Sequence, residues 1–158
     1  MKEFKEPKAL NAVADFHKTF DLPILESPKI PDKKRCKLRI SLLQEELNEL
    51  KEAIEQNDIV EVADALCDIQ YVLSGAIHEF GIGERFKDLF DEVQRSNMSK
   101  TCKTLEEAQA TVEHYRNKDG TESEIVQRES EFLVYRKTDG KVLKSVKYSP
   151  AELTQYLS

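Results

Sequence analysis

The sequence predicts a mainly α protein, an antiparallel helical bundle with a small C-terminal β-hairpin appendage. Apolar residues recur three and four apart through the first hundred positions, which is the spacing of helices that bury one face. Only five Gly and five Pro punctuate the 158 residues. After Asp119-Gly120 the pattern changes to short β-prone runs around a turn. Residues 1–100 therefore read as a helical core, and 101–158 as a helix plus hairpin belonging to the same compact unit.

Residues 8–20 form the first helix, with Leu10, Val13, Phe16 and Phe20 on one stripe. Leu22-Pro23 ends it, and Ser27-Pro28 and Ile30-Pro31 mark an extended connection. Asp32 caps a second helix that runs to about Gln56. Asn57 or Asp58 caps a third, whose seam of Ile59, Val62, Leu66, Ile69, Leu73, Ala76 and Phe80 suits a bundle. Gly81 is placed to stop it. A fourth helix is expected from Glu84 to about Arg95. Thr104-Leu105-Glu106-Glu107 has the form of a capping box and opens a fifth helix to about Arg116. Phe132–Tyr135 and Val142–Val146 flank Thr138-Asp139-Gly140-Lys141, a hairpin turn. Ser149-Pro150 has the cap-plus-proline form of a last helical turn.

Composition excludes several classes. The net charge of −6 argues against a nucleic-acid partner, which needs a basic surface. No apolar run approaches membrane-spanning length, so no membrane partner is expected. Cys36, Cys67 and Cys102 are odd in number and widely spaced, as reduced thiols of a cytoplasmic protein would be.

Two acidic patterns carry the chemistry. Glu45, Glu46 and Glu49 lie on the second helix, and Glu61 and Asp64 on the third. Residues three and four apart share a helix face, so Glu46 pairs with Glu49 and Glu61 with Asp64. A hairpin folded about Glu55 sets Glu49 level with Glu61 and Glu46 level with Asp64. Converging carboxylates repel unless a cation lies between them, and an all-oxygen set suits Mg²⁺, with Mn²⁺ as the alternative. Asp68, one turn beyond Asp64, is placed to orient a ligand or a water. Each acid alone reads first as solvated helix surface or, for Glu61, as part of a cap. The joint pattern beside an apolar seam favours a metal.

Glu-Glu-x-x-Glu followed by Glu-x-x-Asp resembles the signature of the all-α nucleoside triphosphate pyrophosphohydrolases. These include MazG-like proteins and phosphoribosyl-ATP pyrophosphohydrolase. The stretch Phe16–Phe20 and the segment Glu92–Lys100 are similar to the same group, and Gly140–Lys144 resembles the tail of some MazG-like relatives. The resemblance implies a MazG-like bundle that cleaves an NTP or dNTP to the monophosphate and pyrophosphate. It implies that Glu46, Glu49, Glu61 and Asp64 are Mg²⁺ ligands, and that Glu45 binds a further metal or orients the attacking water. It also implies that Asn97 and Lys100, with Arg95 nearby, reach the nucleotide, and that the protein is a homodimer or homotetramer. His17 is a candidate for the substrate pocket. Arg39 lies about 10 Å from Glu46 along the helix, within range of a substrate's tail. A helical interaction module, docking a basic partner on the acidic stripe, is the competing reading.

Overall fold

The computed structural model describes residues 3–157. Contacts divide the chain into two compact units, one ending at Phe86 and the other spanning Lys87–Tyr156. The structure is mainly helical, with a two-stranded antiparallel hairpin toward the C-terminus. Among the described residues no helix is long and apolar enough to cross a membrane.

The first unit holds α1 (Ala9–Thr19), α2 (Lys33–Glu55) and α3 (Ile59–Glu79), with α3 packed against both others. The caps fall where the side-chain chemistry puts them. Asp32 Oδ1 accepts from the backbone N–H groups of Lys34 and Arg35, at 2.8 and 3.0 Å. Asp58 Oδ1 accepts from those of Val60 and Glu61, at 2.9 and 3.3 Å. Each cap satisfies donors that a helix start otherwise leaves unpaired. Gly81 follows α3 at φ +67°, and a Cβ there would overlap the Ser27 carbonyl, so only glycine fits.

A buried charged cluster joins the three helices. Glu79, at the last turn of α3, is 1% exposed and accepts from both Arg35 and Arg39 of α2. Arg39 Nη2 also donates to His17 Nε2 of α1 at 3.2 Å, while His17 Nδ1 donates to the Pro23 carbonyl at 2.8 Å. Burial lowers the His17 pKa, which keeps its Nε2 a neutral acceptor. Gly75 makes room for this arrangement: a Cβ there would stand 2.7 Å from Arg39 Nη1 and 3.0 Å from His17 Nε2.

The second unit holds nearly all of α4 (Phe86–Met98), with α5 (Leu105–Asp119), β1 (Ser123–Arg128), β2 (Glu131–Arg136) and most of the single turn α6 (Thr154–Leu157). Its core is Cys102, Ala108, Val134 and Leu143, with Val112, Tyr115, Ile125 and Phe132 packed around them. The Thr104 side chain caps α5 by accepting from Glu107 N–H, and Gly120 closes the helix at φ +74°.

Three elements differ from the sequence reading. The partner of Phe132–Tyr135 is β1, not Val142–Val146, and the strands join at Glu129-Ser130. The turn at Asp139-Gly140 does form, but the chain after it pairs only as a bridge from Val142 to Tyr135. Ser145 then leaves the sheet, with its N–H on the Lys100 carbonyl and its hydroxyl on buried Glu107. The fourth helix begins two residues later than expected and continues to Met98, which leaves Glu84 and Arg85 in a turn. Residues 149–152 are not helical. Ser99 of the α4 end holds the Ser149 backbone, and Glu92 accepts the Glu152 N–H at 2.8 Å, so side chains outcompete the helical turn.

Burial pushes the Glu79 carboxyl up, but the hydrogen bonds from Arg35 and Arg39 outweigh it and hold the group below its ordinary 4.5. A lowered folded pKa stabilises the fold above the unfolded value, and this contribution is lost as pH falls through the folded one. Glu79→Ala, which leaves two guanidinium groups without their carboxylate, should cost about 3–5 kcal/mol at neutral pH. Urea unfolding should show that cost shrinking on acidification.

Candidate metal centre

The α2–α3 turn sets which acids meet. α2 ends at Glu55 and α3 begins at Ile59, so the hairpin is centred on Asn57, which adopts φ +56°. The expected centre was Glu55. Moving the centre by two residues moves every facing partner by four, or about one helical turn. The approach of Arg39 to Gly75 and the pairing of Arg35 with Glu79 both agree with this register. Two turns along each helix from that contact, Glu46 is level with Asp68, and Asp64 stands one turn further on. Glu61 is then level with Ala53, a turn closer to the connection than Glu49.

Electrostatics follow this register. Burial raises the Glu46 pKa, and so do the charges of Glu49, Asp68, Glu45 and Asp64, in that order. Glu46 Oε2 is buried and has no hydrogen-bond partner. Glu45, Glu49, Glu61, Asp64 and Asp68 are exposed. Among the described residues no Lys, Arg or His forms an ion pair with any of the six. Glu61 is not among the charges raising Glu46, and its N–H is held by the Asp58 cap. The side chains remain spread, as unneutralised like charges do. Among the described residues no three His, Cys, Asp or Glu groups are gathered tightly enough to hold an ion as they stand.

The donor set nevertheless has the chemistry that a hard cation requires. All six groups are carboxylates, one oxygen is buried without a partner, and no basic residue neutralises them. Buried polar groups are normally satisfied, and buried charge is normally paired. The Glu46 environment departs from both rules.

A cavity of about 250 Å³ lies further along the same helices, toward Arg39 and Gly75. Leu42 lies on its wall one turn before Glu46, and Val72 lies there one turn beyond Asp68. Phe16 and Tyr71 add aromatic surface, with ring centroids 5.6 Å apart in an edge-on arrangement. His17 and Arg39 also line the cavity, although their hydrogen bonds are directed to each other, to Pro23 and to Glu79.

The remaining expected substrate residues lie in the second unit. Arg95 is bound by Glu92 through Nε and Nη2, at 2.7 and 2.8 Å, and also donates to the Pro150 carbonyl. Asn97 Oδ1 accepts from Lys100 Nζ at 2.8 Å. Sequence reasoning passed over Glu79. An acid in the last turn of a helix opposes the helix dipole, and that unfavourable placement was the available signal.

The raised Glu46 pKa gives a thermodynamic signature of its own. A carboxyl raised on folding leaves the protein relatively more stable below the unfolded pKa and less stable as pH rises through the folded one. Without added metal, Glu46→Gln should raise the melting temperature at pH 7 slightly, because the neutral amide removes a carboxylate that its neighbours repel. Differential scanning calorimetry should show that gain fading toward pH 4.5, the ordinary glutamate value.

The chain is 27% identical to an uncharacterized protein of Acanthamoeba polyphaga mimivirus, in an alignment covering 87% of this chain and 92% of that protein. A family model described as phosphoribosyl-ATP pyrophosphohydrolase matches residues 13–97, more than half of the chain, and that stretch contains both acidic patterns and the Asn57 turn. The chain therefore belongs to the phosphoribosyl-ATP pyrophosphohydrolase family, within the MazG-like nucleoside triphosphate pyrophosphohydrolase superfamily.

Proposed function

We propose that this protein is a Mg²⁺-dependent nucleotide pyrophosphohydrolase that cleaves an NTP or dNTP to the monophosphate and pyrophosphate. Family membership supports pyrophosphohydrolase chemistry on nucleotides. The single observation that carries the metal and its place is the unpartnered, buried Glu46 oxygen among like charges with no basic neighbour.

Glu46, Glu49 and Asp64 are the proposed ligands, joined by Asp68, which the register brings level with Glu46. Glu61, a turn nearer the hairpin connection, is proposed to ligate from the rim. Mg²⁺ held by these carboxylates would supply charge neutralisation at the phosphate oxygens and would acidify water. Glu45 is exposed beside the cluster and is suited to take a proton from the attacking water. That water's oxygen bonds to the α-phosphorus, and the bond from the α-phosphorus to the bridging oxygen breaks to release pyrophosphate. The cavity walled by Phe16, Leu42, Tyr71 and Val72 is the proposed base site, since flat apolar surfaces beside a charged site favour a heteroaromatic ring. Exposed Leu47, Ile54, Ile59, Val60 and Leu66 on α2 and α3 support burial against a second copy of the chain.

Pyrophosphate release from a panel of ribo- and deoxynucleoside triphosphates, with Mg²⁺ and with EDTA, tests the reading. One or a few substrates should be turned over with Mg²⁺ alone, and Glu49→Gln and Asp64→Asn should fall to background. Asp68→Asn should lose about 10- to 100-fold, the effect of disturbing a ligand's surroundings at the least. Absence of metal-dependent release from every nucleotide by a folded wild type would contradict the reading.

A further inference from the structure

The first unit has a second cavity, of about 270 Å³, where the C-terminal end of α3 meets the start of α1 and the segment around Leu25. It shares no lining residue with the cavity walled by Phe16 and Tyr71. His78 forms part of its wall and is 7% exposed. Nε2 of that ring is hydrogen-bonded to the Leu10 carbonyl at 2.8 Å. A carbonyl has no proton to give, so Nε2 is the donor and Nδ1 of the neutral ring presents a lone pair. No described residue donates to that lone pair, and a proton placed on Nδ1 would find no acceptor among them. Gly83, which also lines the cavity, keeps the approach open: a Cβ there would stand 3.1 Å from Nδ1. A buried acceptor is normally satisfied, so Nδ1 calls for a donor from outside the chain.

The charge around the cavity decides which donor fits. None of the residues lining it is Lys or Arg, while Glu26 and Glu84 both do. Exposed carboxylates alone would be ordinary solvated surface. Here they share a cavity with a buried acceptor, and neither forms an ion pair among the described residues. The end of α3 adds the negative pole of a 21-residue helix. Among the described residues no three His, Cys, Asp or Glu groups are gathered tightly enough for a metal ion, which leaves an organic cation. Leu10 and Leu25 give the cavity aliphatic surface, suited to methylene groups and not to a bare ion. An ammonium group on an alkyl stem meets all three conditions, with three N–H donors and no acceptor of its own.

The geometry points to a binding site for a short aliphatic amine, whose ammonium group donates to His78 Nδ1 with Glu26 and Glu84 as its countercharge. The volume lies just under the range of drug-sized ligand sites, which suits a chain of a few carbons. The site rests on this cavity alone and is independent of the pyrophosphohydrolase reading.

Long-range proton–nitrogen NMR spectra of the full chain, titrated with diaminobutane, read Nδ1 directly. The titration is run at about pH 8, where imidazoles are ordinarily neutral. A saturable shift of the His78 Nδ1 resonance is expected, absent with butanediol and with sodium chloride at the same ionic strength. Glu26→Gln and Glu84→Gln should each weaken binding up to a few-fold, the worth of an exposed ion pair. Gly83→Ala sets a methyl group against Nδ1 and should abolish the shift, with an unchanged far-ultraviolet circular dichroism spectrum showing that the fold is kept. The two glutamate variants alter only exposed side chains, so they carry the test even if Gly83→Ala folds poorly. No saturable shift, a shift that butanediol or salt reproduces, or an affinity unchanged in both glutamate variants would overturn the assignment.

Discussion

The buried carboxylate of Glu79 is the constraint on which the first unit depends. It is taken almost wholly out of water, a position that no carboxylate tolerates unpaired, and Arg35 and Arg39 of the neighbouring helix supply the countercharge. Arg39 extends the connection to His17, so one charged cluster fastens α1, α2 and α3 together. Hydrophobic seams are forgiving about sliding by one turn, because the residue a turn away is also apolar. A buried ion pair seated on a glycine is not. The Glu79 cluster therefore sets the register that places Glu46 level with Asp68 two turns away.

The register produces a deliberate conflict at the other end of the same helices. Around Glu46 the like charges gather with no basic neighbour, and burial adds to their mutual repulsion. One helix pair thus carries a cluster of paired opposite charges near the α3 C-terminus, two guanidinium groups on one carboxylate, and a cluster of like charges near the hairpin connection. The first favours ionised Glu79 and the second disfavours ionised Glu46, so the two carboxyls shift in opposite directions. Like charge gathered without a counter-ion is where a fold departs from its own stability rules for the sake of function.

Much of this was legible in the residues. Helix starts were found because Asp32, Asp58 and Thr104 are short polar side chains ahead of periodic apolar runs, and a cap is a local interaction. The acidic set on α2 and α3 was found for the same reason, since helical spacing alone decides which acids share a face. What periodicity could not supply was the hairpin centre. Asn57 in the left-handed conformation displaced it by two residues, and that moved Asp68 from a supporting place to one level with Glu46. The β-hairpin failed for a related reason. Ser123–Arg128 has too little apolar alternation to stand out as a strand, while Val142–Val146 has enough but is drawn away by Ser145 and its buried partner Glu107. Such choices are tertiary, and no window of local sequence contains them.

The central claim is that the acids around Glu46 form a divalent-cation site, and electron paramagnetic resonance titration with Mn²⁺ tests it most directly. The account predicts saturable loss of the free Mn²⁺ signal on adding protein, reversed by Mg²⁺ and abolished in Glu46→Gln. A free Mn²⁺ signal that the folded wild type leaves unchanged, or that Glu46→Gln depletes equally well, would contradict it.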